Sequence, residues 1–227
     1  MKSHNSHMNR FHSSLANSLL SHLGRGRQLI AIDGVDGSGK STFAAKLIAE
    51  ILGRPTILIH ADDFLNSSEI RHAKGRSSPL GFWEDTYNYD ALIANVLDPL
   101  SPDGTGLFSP IAYDVSNDEI LKRQQTFLAP SNAIVVIEGM FLHRDELASY
   151  CDASVFLDVP FAVTAARMSV RNGSNPDPEH PSMNRYVGGQ KLYFADSKPW
   201  ERATLIVDNS DYTHPRLIAA GEVSADY

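Results

Sequence analysis

The chain has 227 residues, 42% apolar and 21% charged, with a net charge of −7, a profile that fits one globular domain with a sizeable core. The negative balance argues against a general nucleic-acid binder or membrane-surface protein, and no apolar run approaches the roughly 20 residues of a membrane span. The single cysteine, Cys151, excludes an internal disulfide framework and suits a cytoplasmic location, as does the lack of a signal-peptide core.

Residues 1–10 begin MKSHNSHM, polar, His-bearing and aperiodic, and are expected to be a disordered, vector-derived leader before one domain at 11–227. Phe11, Leu15, Leu19, Leu20 and Leu23 recur at helical spacing and predict an amphipathic helix packed on a sheet. Leu29 to Ile32 then reads as a buried strand.

Gly34-Val35-Asp36-Gly37-Ser38-Gly39-Lys40-Ser41 follows, matching G-x-x-x-x-G-K-[ST] without a mismatch, and Thr42 leads into helical spacing up to Ile51. Gly34, Gly37 and Gly39 let the backbone curl into a nest whose N–H groups point at phosphate oxygens. Lys40 adds a cation for the phosphates and Ser41 a hydroxyl for Mg²⁺. Strand, glycine turn and helix stand in the order that a phosphate-binding (Walker A) loop requires, so the expected cofactors are ATP and Mg²⁺.

Thr56 to His60 predicts a second strand that runs into Asp62 and Asp63, two carboxylates at the strand edge where open α/β sheets bind ligands. One is expected to face the site and its neighbour to serve the turn. The stretch Phe82-Trp83-Glu84-Asp85-Thr86-Tyr87-Asn88-Tyr89 reads as a substrate-side flap or a packing cluster. Asp90 to Leu97 looks helical, and Gly106 to Tyr113 suggests an edge strand of a small antiparallel excursion.

Ala133 to Ile137 is a buried-parallel type of strand ending in Glu138, a candidate Mg²⁺ partner, and Ser154 to Val159 is another such strand. A helix from Phe161 carries Arg167 and Arg171 on one face, ahead of a Pro-rich loop at 173–182. A helix over about Met183 to Ala195, a short strand at Thr204 to Val207 and a tail without motifs complete the chain. The βα alternation predicts a mostly parallel sheet with helices on both faces.

With these residues in view, the chain resembles the uridine kinase/phosphoribulokinase group of P-loop kinases from about Leu29 to Asn209. The resemblance rests on the phosphate loop, Ala61-Asp62-Asp63-Phe64, Pro110-Ile111-Ala112-Tyr113-Asp114, Ile137-Glu138-Gly139 and the arginine helix. It implies a P-loop NTPase-type fold with a helical lid at about 167–195. Asp62 would activate the acceptor hydroxyl, Glu138 would be the Mg²⁺-associated acid, and Arg167 and Arg171 would be lid arginines. Phe64, Tyr113, Tyr186 and Gln190 would face the substrate, with either Glu84 or Asp85 holding ribose hydroxyls. Ser116-Asn117-Asp118 departs from the pattern where a base-reading His is usual, which bears on uridine specificity.

The leading expectation is therefore an ATP-dependent kinase acting on a hydroxyl of a nucleoside. Other acceptors are a sugar, a pantothenate-like alcohol or a glycerate-like acid, the last needing a basic partner such as Arg71 or Arg76. A non-catalytic ATP-binding regulator is the reading from a different class, while no guanine-reading N-K-x-D sequence supports a GTPase switch. The expected partner is a small-molecule acceptor, with no nucleic acid and no membrane; a homo-oligomer is compatible with the sequence and not required by it.

Overall fold

A computed structural model describes residues 2–122 and 124–224, with side chains from residue 10 onward. The first helix, α1 (Lys2–Ser21), runs back through the leader that the sequence predicts to be disordered. Once its buried turns nucleate the helix, each further residue adds a hydrogen bond at little cost. Leu15, Ala16 and Leu19 are buried against Phe43, Ala44 and Leu47 of α2 (Lys40–Glu50).

The central sheet has six strands: β1 (Gln28–Gly34), β2 (Thr56–His60), β3 (Ile134–Gly139), β4 (Ala153–Asp158), β5 (Leu205–Asp208) and β6 (Arg216–Ile218). Their order across the sheet is β6-β5-β4-β1-β3-β2. The first five are mutually parallel and β6 pairs antiparallel with β5. The sheet is thus of the expected parallel type, but its last strand comes from the tail, where the sequence carries no strand signal.

Alternation along the strands sends side chains to two cores. Ile30 and Ile32 face the α1–α2 layer, with Ile134, Val136, Val155 and Leu157. Leu29 and Ala31 face the opposite layer, with Val135, Ile137 and Phe156. That second layer contains α3 (Pro79–Asp85), α4 (Phe161–Asn172) and α5 (Asn184–Ser197). Phe82 and Trp83 of α3 are buried there against Phe141, at ring-centroid distances of 5.6 and 5.1 Å, so the aromatic stretch packs in the core while Phe82 and Thr86 also border a cavity.

Gly188 and Gly189 sit inside α5 because α3 passes so close. A Cβ on Gly189 would lie 2.8 Å from the Pro79 carbonyl and 2.8 Å from the Phe82 ring. The excursion expected at Gly106 to Tyr113 is two small ribbons, Leu107–Phe108 with Phe127–Leu128 and Tyr113–Asp114 with Glu119–Ile120. Among the described residues, no helix is long and apolar enough to cross a membrane.

Asp33, fully buried on β1, pins the start of the phosphate loop. Its carboxylate accepts from Gly34 N (2.6 Å), His143 Nδ1 (2.7 Å), Leu142 N (3.2 Å), His143 N (3.3 Å) and the Tyr193 hydroxyl of α5. One carboxylate thereby joins β1, the loop after β3 and the lid-side helix.

Candidate active site

The crossover from β1 runs to β2 on one side of it and the one from β3 runs to β4 on the other, so a crevice opens at the C-terminal end of β1. The glycine loop bridges β1 and α2 in that crevice. Gly37 adopts φ +77°, and a Cβ there would come within 2.9 Å of the Thr164 carbonyl on α4. Gly39 caps α2 at φ +91°. Lys40 opens the helix and donates from Nζ to Val35 O at 3.0 Å, lying over the loop.

Ser41 Oγ donates to Glu138 Oε1 at 2.8 Å, and His60 Nδ1 lies 2.7 Å from the same oxygen. The register explains the pair, since His60 and Glu138 are direct partners across β2 and β3. Glu138 is 6% exposed and lines a cavity of about 200 Å³ with Asp36, Gly39, Lys40, Ser41 and Asp62. A glycine cradle, an adjacent cation and hard oxygen donors fit a Mg²⁺–triphosphate. Among the described residues no group of three or more His, Cys, Asp and Glu is placed to hold a metal ion.

Asp62 stands in a single 3₁₀ turn, Ala61–Phe64, straight after β2. Its Oδ1 accepts from the buried Tyr87 hydroxyl at 2.8 Å. Burial, with the Asp62 charge second, holds the Tyr87 phenol well above its ordinary value. The neighbouring Asp63 accepts from Ala112 N at 3.0 Å through its carbonyl, which anchors the chain after the first ribbon. Burial pushes the Asp63 carboxyl up; His60 opposes the shift while Asp62 and Glu138 add to it.

A second cavity, of about 210 Å³, opens beside the first and shares Asp36, Asp62, Met140 and Arg171 with it. Asp62 therefore sits in the wall common to the two cavities, the one over the glycine loop where phosphates are expected (the phosphate chamber) and the one beside it where an acceptor is expected (the acceptor chamber). Arg171 lies 3.4 Å from Asp36 and faces both. Arg167, one turn earlier, does not line either chamber. It donates to the carbonyls of Asn209 (2.9 Å), Ser210 (2.7 Å) and Gly37 (3.3 Å), with its guanidinium 5.6 Å from the Tyr212 ring centroid. Burial pushes its pKa down. Arg167, Asn209 and Tyr212, with His12, Thr42, Phe43 and Lys46, line a third cavity that abuts Gly37 and Gly39.

A model of the phosphoribulokinase/uridine kinase family matches residues 29–174. The chain belongs to that family. It is 26% identical over 161 residues to the nicotinamide riboside kinase of Eremothecium gossypii, a match spanning 66% of each chain. A solved structure described as a possible uridine kinase from Bacillus stearothermophilus superposes with a TM-score of 0.68 at 24% identity, covering 87% of this chain and 97% of that one. The second likeness speaks to the fold.

The other substrate-side residues inferred from resemblance to the family divide. Tyr186 lines the acceptor chamber. Gln190 does not; it accepts from Asp36 N at 3.0 Å and donates to Tyr186 O at 3.0 Å, tying α5 to the phosphate loop. Phe64 is wholly buried in the core. Glu84 and Asp85 grip Lys74 at 3.0 and 2.6 Å outside the chamber. Tyr113 is buried too, holding Arg71 Nη2 at 3.1 Å and donating to Asp118 at 2.5 Å. Tyr87, Met140, Arg185, Asn209 and Tyr212 are site residues that the motifs do not reveal. Asn209 donates to Ser38 O at 2.7 Å, so the loop after β5 braces the phosphate loop.

Proposed function

We propose that this chain is a kinase that uses ATP and Mg²⁺ to phosphorylate a hydroxyl group of a small molecule, with a nucleoside-like compound as the first class of acceptor. The observation that carries the reading is the wall shared by the two chambers, in which Asp62 and Arg171 stand between donor and acceptor. When bound, ATP supplies the phosphoryl group and Mg²⁺ offsets charge on its oxygens.

The chain's own residues do the rest. The Gly34–Ser41 loop and Lys40 hold the phosphates, Thr42 extends the cradle, and Ser41 with Glu138 holds the ion. Arg167 and Tyr212 flank the cavity suited to the nucleobase. Asp62 orients the acceptor hydroxyl and takes its proton, while Arg171 steadies the charge that spreads over the transferring group. The domain reading is one kinase domain over 11–227 with a lid at about 167–195, located in the cytosol, which a single cysteine suits.

The test is an ATP-consumption assay against a panel of nucleosides, sugars and short-chain alcohols. Asp62→Asn should lower turnover with the best acceptor by about 100- to 10,000-fold and leave ATP affinity within a few fold. Full turnover in Asp62→Asn would falsify the assignment.

A further inference from the structure

The acceptor chamber carries a charge pattern that a neutral nucleoside leaves unexplained. Its walls include Asp36, Asp62, Arg71, Arg171 and Arg185, with His72 and Tyr186 the further titratable groups. Both carboxylates are engaged, Asp62 by Tyr87 at 2.8 Å and Asp36 by Arg171 at 3.4 Å. The nearby acids Glu84 and Asp85 are held by Lys74.

Arg71 and Arg185 are bound differently. Arg185 is 6% exposed and donates to three carbonyls, Arg71 O at 2.8 Å, Ser78 O at 3.3 Å and Gly75 O at 3.4 Å, and no ion pair joins it to a carboxylate among the described residues. Arg71 donates to Asn66 O at 2.8 Å and to the Tyr113 hydroxyl at 3.1 Å, and its one ion pair, with the part-exposed Asp118, is a long one at 3.6 Å. The bond from Arg185 to the Arg71 carbonyl keeps both on one wall. Phe82 and Tyr113 pack against the two guanidinium groups, at 5.5 and 5.8 Å.

Withdrawing a cation such as Arg185 from water onto neutral partners is costly unless an anion joins it. Burial and the charge of Arg71 both push the Arg185 pKa down. Neither arginine lines the phosphate chamber, so donor phosphates are not what these two face. Guanidinium groups fixed by carbonyl and hydroxyl partners form a preorganised receptor for a planar or tetrahedral oxyanion.

We propose that Arg71 and Arg185 form an oxyanion subsite, so that the acceptor carries a carboxylate or phosphate group besides the hydroxyl presented to Asp62. The identity of that hydroxyl rests on the kinase reading above; the anion does not. For a nucleoside the charge would lie on the base, and for a shorter acceptor at the end remote from the reacting hydroxyl.

Calorimetric titration of the full chain, saturated with Mg²⁺ and a non-hydrolysable ATP analogue, tests this with matched pairs: orotidine against uridine, D-glycerate against glycerol, and ribitol 5-phosphate against ribitol. In at least one pair the charged member should bind about 10- to 100-fold tighter. The favoured pair tells carboxylate from phosphate. Arg71→Met should shrink that gap to within about threefold, and Arg185→Lys should keep part of it. Arg71 is the partly exposed member, which keeps the test open should changes at the buried Arg185 unfold the chain. No charge preference in any pair, or a gap that survives Arg71→Met, overturns the subsite. A charged acceptor that binds but receives no phosphate from ATP sinks the kinase reading and leaves the subsite standing. A neutral nucleoside phosphorylated with no advantage to its charged counterpart does the reverse.

Discussion

Tyr87 donates its hydroxyl to Asp62 Oδ1 at 2.8 Å, from a phenol that is 2% exposed. With its pKa held well above the ordinary value, Tyr87 stays a donor at any working pH and fixes one oxygen of the carboxylate. Tyr87→Phe removes that bond without burying a new polar group. A hydrogen bond to a charged group contributes about 1.5–3 kcal/mol, so kcat should fall by roughly 10- to 100-fold with ATP affinity near the wild-type value. Steady-state kinetics with both substrates varied would show it. The effect should largely vanish when Asp62 is already Asn, since the two residues act as a unit.

Gly37→Ala strikes the donor side. The residue needs φ +77°, and the new methyl would meet Thr164 O at 2.9 Å and Met168 Cγ at 3.0 Å. The left-handed conformation alone costs roughly 1–2 kcal/mol for a residue with a Cβ, and the contact pushes α4 off the loop. ATP affinity should drop more than tenfold while thermal unfolding shifts by only a few degrees. A nucleotide titration beside a melting curve separates the two effects.

Asp33→Asn is expected to act mainly through stability. The buried carboxylate accepts from five donors, and an amide in its place turns an NH₂ toward some of them. Breaking one side of a buried charged network costs about 3–5 kcal/mol. At roughly 2–4 °C per kcal/mol for a chain of this size, Tm should fall by about 6–20 °C. Tyr193→Phe removes one donor and should cost a fraction of that. Equal melting curves for wild type and Asp33→Asn would mean that the hub is not what ties α5 to β1.

The acid limb of the stability curve has a named contributor. Ser68, then Tyr113, hold the Asp118 carboxyl down to about 2 from an ordinary 3.8. A depressed folded-state pKa stabilises the fold above the unfolded value, and the contribution is lost as pH falls from about 4 through about 2. Asp118→Asn should therefore flatten Tm against pH in that window, with a modest amplitude because the group is solvated. Asn also tolerates the φ of +52° at this position, so backbone strain does not confuse the comparison. Identical slopes for both proteins would remove Asp118 from the acid transition.

Features encoded by neighbouring residues could be read directly from the chain. The phosphate loop is eight consecutive residues, and the apolar runs of β1, β3 and β4 need no tertiary knowledge to be recognised. Asp62 and Glu138 were legible because strand ends converge on one edge in a parallel sheet. Arg71 and Arg185 were not legible as a pair, since only the packing of α3 and α5 onto the sheet brings them to one chamber. Arg167 and Arg171 share a helix face, yet a turn of axial separation sends them to different cavities. The resemblance to the family suggested Glu84 or Asp85 as a holder of ribose hydroxyls, but Lys74 lies close enough to claim both. β6 escaped notice because antiparallel pairing with β5, rather than any apolar run of its own, makes it a strand.

The wall shared by the two chambers sets a design rule for inhibitors. Asp36, Asp62, Met140 and Arg171 border both spaces, so the two adjoin across a single layer of side chains. One molecule joining an adenosine to an acceptor mimic through a short oligophosphate bridge could reach all three cavities together. Its second contact would be intramolecular, and effective concentrations in the millimolar range for short tethers would raise its affinity well above that of either half. The length of the tightest-binding bridge would then serve as a molecular ruler for the distance that a phosphoryl group travels.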